Sequence, residues 1–274
     1  MRSRLGSIGP LRPFFIRDLR NEVSYKLSFA LQLFGVLPVL LMYFFLSKLF
    51  GSAIAGPLEP YGGTYFPFIL IGAALQNYMA VALGGFSAGL RDAQLSGTLE
   101  AVFAAPVGVG QYLAGSTLYS FVFNLLRVVL YLAVGAVVFG AKLDWARFPL
   151  ALLTLALTAA AFSSLGILSA AFVVVFKRGD PVNYFINVAS WLLGGVYYPV
   201  SVLPGWVQKI SAVIPMTHAL EALRATLLGG AGIKEIGGHL AVLAAWAVVG
   251  LPIAVFLFKF SFERAQAKGT LGHY

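Results

Sequence analysis

The sequence contains no cysteine. That excludes disulfides, iron–sulfur clusters and cysteine–zinc sites, and it leaves the redox compartment unread. Charge is scarce too: 11% of the 274 residues are charged, against about 25% in an ordinary soluble domain. Histidine is confined to His218, His239 and His273, which lack the spacing of metal ligands. No lysine follows a glycine, so the Gly-Lys-Ser/Thr core of a phosphate-binding loop is missing and ATP is not bound through that motif. An ATP-driven activity therefore requires a second polypeptide. There is also no internal repeat, so the inverted-repeat design of many secondary transporters gains no support.

What the chain does have is apolar surface, with 59% hydrophobic residues and a mean hydropathy of +0.87. The expected class is an all-α, polytopic membrane protein with little room for a soluble domain. Roughly 20 apolar residues cross a bilayer as a helix, and six stretches come near that length: Leu27 to Leu46, Tyr65 to Leu90, Tyr112 to Gly140, Phe148 to Phe176, Val182 to Tyr198 and Leu240 to Phe260. The fifth is the shortest. The chain divides accordingly into a cytoplasmic amphipathic helix over residues 1–26 and a six-helix transmembrane domain over residues 27–274. The basic first 26 residues lack the apolar core of a cleaved signal peptide, and that segment is expected to stay on.

A net charge of +9 invites a nucleic-acid reading, but the positions of the charges favour membrane topology. With six spans both termini share one side, and that side carries Arg2, Arg4, Arg12, Arg17, Arg20, Lys26, Arg91, Lys177, Arg178, Lys259, Arg264 and Lys268. The opposite side carries only Lys48, Lys142, Arg147, Lys209, Arg224 and Lys234. The positive-inside rule then puts both termini in the cytoplasm of a cell (plasma or inner) membrane. No nucleic-acid partner is expected.

Two cytoplasmic segments are amphipathic. Over Pro10 to Lys26, Leu11, Phe15, Leu19 and Val23 recur every four residues opposite Arg17 and Arg20, the pattern of a helix lying among lipid headgroups. Between the second and third spans, Leu95, Leu99, Val102 and Phe103 make one apolar face of a short helix, about residues 92–106, that carries Glu100 and stops at Pro106. This face either docks a partner or rests on the membrane surface.

On the outer side, the apolar pieces from Gly205 to Ile214 and from Met216 to Leu228 are bounded by Pro204, Pro215 and Gly229-Gly230. Each is too short to span, so residues of about 203–230 read as re-entrant or interfacial helices packed on protein, a lid or gate. In the fifth span Asn183, Asn187, Ser190, Gly194, Tyr197 and Ser201 follow alternating four- and three-residue steps and form one polar stripe. The stripe lines a conduit or bonds neighbouring helices. Gln76 and Asn77 in the second span are a weaker conduit candidate.

Arg127, near the middle of the third span, is costly in lipid. It reaches an interface, bonds helix-end carbonyls and polar side chains, or meets an anionic headgroup of substrate or lipid. Gly85-Phe86-Ser87-Ala88-Gly89 matches the nucleophile elbow of serine hydrolases, but it ends an apolar helical run rather than a strand and no histidine lies within a span. It reads as small-residue packing.

Together, "SGTLEAVFAAPVGVGQYLAG" after the second span and "VYYPVSVLPGWVQKISAVIPMTHALEALR" after the fifth resemble the membrane subunits of type-2 ATP-binding cassette exporters. That family includes polysaccharide, teichoic-acid, nodulation-factor and antibiotic exporters. Gly97-Thr98-Leu99-Glu100 with Pro106 fits the first family phrase, and Tyr198-Pro199, Leu203-Pro204, Pro215, Thr217 and Arg224 fit the second. The resemblance implies a coupling helix that presents Leu95, Leu99, Glu100 and Phe103 to a separate ATPase, as amphipathic helices dock in grooves. It also implies a dimer of permease subunits, homo- or heteromeric, with two copies of that ATPase. ATP and Mg2+ would bind there, with no cofactor in this chain. Tyr198, Pro199, Trp206, Glu221 and Arg224 would then belong to the outer gate.

The expected function is export of an amphipathic drug or lipid-like molecule, which suits a polar stripe in an apolar wall. A lipid-linked polysaccharide is the alternative, because sugars stack on aromatics and Tyr61, Tyr65, Phe66, Trp191, Tyr197, Tyr198 and Trp206 lie near the outer ends of spans. An interfacial aromatic belt explains the same residues. From another class, a membrane-embedded enzyme or a non-transporting assembly factor has the same layout, and an ATPase encoded beside the chain discriminates them.

Overall fold

The computed structural model describes residues 34–51, 54–95, 109–176 and 180–267, and among these every regular element is helical. The elements are α1 (Val36–Phe50), α2 (Ala55–Leu58), α3 (Tyr65–Leu95), α4 (Val109–Val137), α5 (Phe148–Phe176), α6 (Pro181–Leu193), α7 (Gly205–Ser211), α8 (Pro215–Leu227), α9 (Ile233–Ala245) and α10 (Leu251–Ala267). A π turn over Trp246–Gly250 joins the last two into one helical run. The N-terminal amphipathic segment lies outside the described residues, as do Leu99, Glu100 and Phe103. Leu95 is the last residue of α3.

Among the described residues, three runs are long and apolar enough to cross a membrane: Tyr65–Phe86, Trp145–Val174 and Ile233–Arg264. Val36–Phe50 and Phe121–Val137 are shorter apolar helices. The protein is thus a polytopic helical membrane protein. The fifth expected span departs most from its sequence reading. Its helix, α6, has 13 residues, about 20 Å at 1.5 Å per residue, against a hydrocarbon core of about 30 Å. Gly194-Gly195 stops it, with Gly195 at φ +82°, a conformation that side chains with a Cβ resist. The start of α6 is well specified: Pro181 occupies the first turn, and the Asp180 carboxylate accepts a hydrogen bond from the Asn183 N–H at 3.0 Å.

The core is built around α3, which packs against both α4 and α5. Glycine makes the approach possible. A Cβ on Gly166 of α5 would lie 2.7 Å from the Ala82 carbonyl oxygen and 2.8 Å from that of Leu83, so the two backbones touch, as small residues allow between membrane helices. Gly135 of α4 leaves room for Leu70 in the same way. On the other flank of α3, Phe44 of α1 meets Phe66 edge-on with centroids 5.5 Å apart and Phe139 at 5.2 Å, and these rings close the bundle beside α4.

The buried hydroxyls of α5 are satisfied within the helix. Thr154 donates to Leu150 O, Thr158 to Thr154 O, Ser163 to Ala159 O and Ser164 to Ala161 O, at 2.7–3.0 Å. Such back-bonding lets polar residues sit in an apolar interior without partners on other helices. Two turns before the end of α5, Ser169 donates instead to the Asp180 carboxylate and ties α5 to the α6 cap.

Candidate functional site

The residues with most polar chemistry gather at the end of the bundle where α7 and α8 lie. Pro204 and Ile214, both in extended conformations, precede the first turns of these two helices, and Pro215 opens α8. Most of α8 is buried, including Met216, Ala219, Leu220 and Leu223. The helix therefore carries its polar residues inward. Arg224, grouped with solvent-facing basic residues by its position in the sequence, is 0% exposed.

The partners of Arg224 are backbone carbonyls. Its Nη1 donates to Gly195 O at 2.8 Å, its Nη2 to Val196 O at 3.1 Å and to Phe68 O at 3.2 Å, and its Nε to Phe68 O at 3.3 Å. The guanidinium carbon sits 3.4 Å from the centre of the Phe68 ring and 5.8 Å from that of Tyr61. Burying an unpaired cation costs several kcal/mol, and here a planar fork, four N–H···O contacts and an aromatic face offset that cost. Burial draws the guanidinium down from 12.5 to about 10, while the Glu221 carboxylate works in the other direction. The group stays cationic near neutral pH.

Gly195 and Val196 follow the premature end of α6, so their carbonyls have no helix to bond within. Arg224 supplies what the broken helix withholds. Gly72 of α3 makes the approach possible, since a Cβ there would stand 2.4 Å from the Val196 carbonyl oxygen and 3.1 Å from Arg224 Nη2. One turn before Arg224, the Glu221 carboxylate accepts the Tyr61 hydroxyl at both oxygens, at 2.8 and 2.9 Å. Burial and that carboxylate both push the Tyr61 phenol up, so it remains a donor. Tyr65 donates to Tyr197 O at 3.1 Å, and Tyr197 donates to Gln76 Oε1 at 3.0 Å. Three chain regions are thus joined: the start of α3 with the turn before it, the linker after α6, and α8.

Of the residues expected to line a conduit, Tyr197 and Gln76 are brought together. Asn77 is exposed and donates to Ala73 O of its own helix. Asn183 and Asn187 are half-buried, Ser190 is buried, and the exposed neighbours Tyr184 and Phe185 complete that region of α6. Arg127 is half-buried on α4, one turn before Tyr131. A cavity of about 490 Å³ between α5 and the last helical run is lined by apolar residues such as Leu168, Trp246 and Ile253 and by none of the conduit candidates.

Of the residues expected at a gate, Tyr198 donates to Leu192 O, Pro199 is buried ahead of the turn Val200–Val202, and Trp206 is 69% exposed. Sequence reasoning missed Phe68 and Gly72, which sit in an unremarkable apolar run. It also missed the contact of His218 with His239, whose Nδ1 atoms are 3.0 Å apart. The only sequence signal for that contact is one histidine on each of two short helices joined by a glycine turn.

Comparison with known proteins adds an independent line. Residues 15–228 match the family described as ABC-2 type transporter. The chain is 26% identical to the inner membrane transport permease YadH of Escherichia coli over 71% of its own length and 74% of the relative's. It is 24% identical to nodulation protein J of Rhizobium meliloti, covering 88% and 90%. To the daunorubicin resistance ABC transporter permease protein DrrB1 of Streptomyces coeruleorubidus it is 26% identical, covering 88% and 83%.

Proposed function

The chain belongs to the ABC-2 type transporter family, and we propose that it is the permease subunit of an ATP-driven exporter that carries an amphipathic drug or lipid-like molecule out of the cytoplasm or inner leaflet. The observation that carries this reading is the family match over residues 15–228, which takes in every apolar segment but the last. The family assignment weighs against the alternative of a membrane-embedded enzyme or a non-transporting assembly factor. ATP hydrolysis, with its Mg2+, belongs to a separate ATPase present in two copies, and two permease subunits enclose one pathway in the inner membrane with all termini in the cytoplasm.

In this reading the segment of about residues 92–106 is the coupling helix, and Leu95, Leu99, Glu100 and Phe103 meet the ATPase. The half-buried amides of Asn183 and Asn187 beside exposed Tyr184 and Phe185 offer hydrogen bonds within an aromatic surface. That chemistry matches a flat molecule with a few polar groups. The daunorubicin-resistance name of one relative accords with such a substrate, and the nodulation name of another keeps a lipid-linked glycan as the alternative. The Arg224 assembly is the fixed wall of the outer gate.

The test is reconstitution with the neighbouring ATPase and measurement of substrate-stimulated hydrolysis. Leu99→Asp and Glu100→Arg should insert normally yet lose the stimulation. Unchanged stimulation in both would remove the coupling assignment, and failure of any ATPase to co-purify would remove the exporter reading.

A further inference from the structure

Apart from the Arg224 assembly, two titratable side chains meet across helices at the same end of the bundle. His218 lies in the first turns of α8 and His239 in the second turn of α9, both half-buried, with rings 5.2 Å apart and tilted by 50°. Their Nδ1 atoms are 3.0 Å apart, and His218 Nε2 is 2.8 Å from Ala212 O.

A carbonyl only accepts, so His218 Nε2 carries a proton. A neutral His218 then has a bare Nδ1 facing its partner, and the short contact requires His239 Nδ1 to donate. The first proton added to the pair goes to His239 Nε2 and leaves that bond in place, now charge-assisted. The second must go to His218 Nδ1. It points two N–H groups at each other and puts two cations side by side. The contact therefore survives one added proton and not two. Burial and the neighbouring His218 oppose charging of His239, and the Glu221 carboxylate of α8 works in the other direction. Among the described residues no three metal-ligating side chains converge, so the pair is read as a proton site.

What the pair holds is the turn between α7 and α8. Ala212 receives the His218 bond, and its neighbour Val213 receives the Trp246 Nε1–H at 3.2 Å from the π turn. The helix on the far side of that turn buries Val207 and Ser211 and leaves Trp206 and Ile210 exposed, as is Val213 in the turn itself. We propose that His218 and His239 form a proton-operated latch: double protonation drives the two rings apart, and because the displaced His218 ring carries the bond to Ala212, acidification of the compartment facing it loosens the α7–α8 turn and frees α7. The physiological sense of the latch rests on the outward orientation proposed above, but its operation does not.

The sequence has no cysteine, so a single spin label at Lys209→Cys, an exposed position in the last turn of α7, reports the motion in detergent without ATPase or substrate. The label should show the ordered motion of a helix-surface site at pH 7.5 and shift most of its spectrum to a faster component at pH 4.5. His239→Phe removes the collision and His218→Gln removes the titrating ring while keeping an N–H near Ala212, so both should respond little to pH. A wild-type spectrum unchanged between the two pH values overturns the latch, as does a pH response retained in both variants. Neither outcome depends on whether the chain exports anything, so loss of the latch and loss of the exporter reading are separable.

Discussion

Replacing Arg224 with methionine keeps most of the side-chain volume and removes every donor. Four hydrogen bonds from a charged group, at about 1.5–3 kcal/mol each, would sum to about 6–12 kcal/mol if they were independent. They are not, because one guanidinium makes all four and its desolvation is recovered when it is removed. What remains is the cost of leaving Phe68 O, Gly195 O and Val196 O with fewer partners in a water-poor interior. Leaving a buried acceptor unsatisfied costs about 1–3 kcal/mol; Phe68 O lies within helix α3 and keeps its helical partner, so orphaning Gly195 O and Val196 O sets the expected loss at about 2–6 kcal/mol. Arg224→Lys keeps the charge but cannot reach three carbonyls from one ammonium or stack on Phe68, so it should recover less than half. The measurement is SDS-induced unfolding of the purified protein in mixed micelles. With the folded-state value near 10, the group is protonated in folded and unfolded chains alike at pH 5–8. No proton is exchanged on unfolding there, and the loss should be the same across that range. A methionine variant within about 0.5 kcal/mol of wild type, or a lysine variant indistinguishable from it, would refute the account of Arg224 as a satisfier of carbonyls.

Gly166→Ala forces a methyl against Ala82 O and Leu83 O and should cost about 1–3 kcal/mol, the range for overpacking. Gly237→Ala, with nothing within 4 Å of its added Cβ, should be neutral or stabilise α9 by up to about 1 kcal/mol, both read by the same unfolding assay. Cysteines replacing exposed Trp206 and Lys234 should react in intact cells with a membrane-impermeant maleimide. Reaction of either only after the inner face is opened would reverse the orientation proposed here.

The helical class was legible in the chain because long apolar runs and scarce charge leave few other ways to satisfy a backbone in lipid. Pro204, Pro215 and the Gly229-Gly230 pair marked the limits of α7 and α8 to within a few residues, since proline and glycine act on the backbone locally. The shortness of α6 was less legible: Gly194-Gly195 sits inside an apolar run, and hydropathy registers no break there. The role of Arg224 was not legible at all. Its partners are main-chain oxygens of residues 68, 195 and 196, and a carbonyl has no signature in sequence. The aromatic residues near the span ends were ambiguous for a related reason. Composition could not say whether Tyr61, Tyr65 and Tyr197 faced headgroups or one another, and their hydroxyls bond inward to Glu221, Tyr197 O and Gln76.

The same geometry bears on how an exit at this end could open. If α8 moved away from α3, the guanidinium would leave Phe68 O and the Phe68 ring, and with the linker displaced it would also leave Gly195 O and Val196 O. A buried cation would be stranded, at a cost of several kcal/mol. Movement of α7 requires much less. The turn that follows it is held by the His218 and Trp246 bonds, each worth about 0.5–1.5 kcal/mol net, and its own apolar face is mostly uncovered. Under the exporter reading, then, α3, the linker after α6 and α8 move as one body or not at all. On that reading, opening at α7, between Pro204 and Pro215, breaks fewer charged contacts than opening at α8.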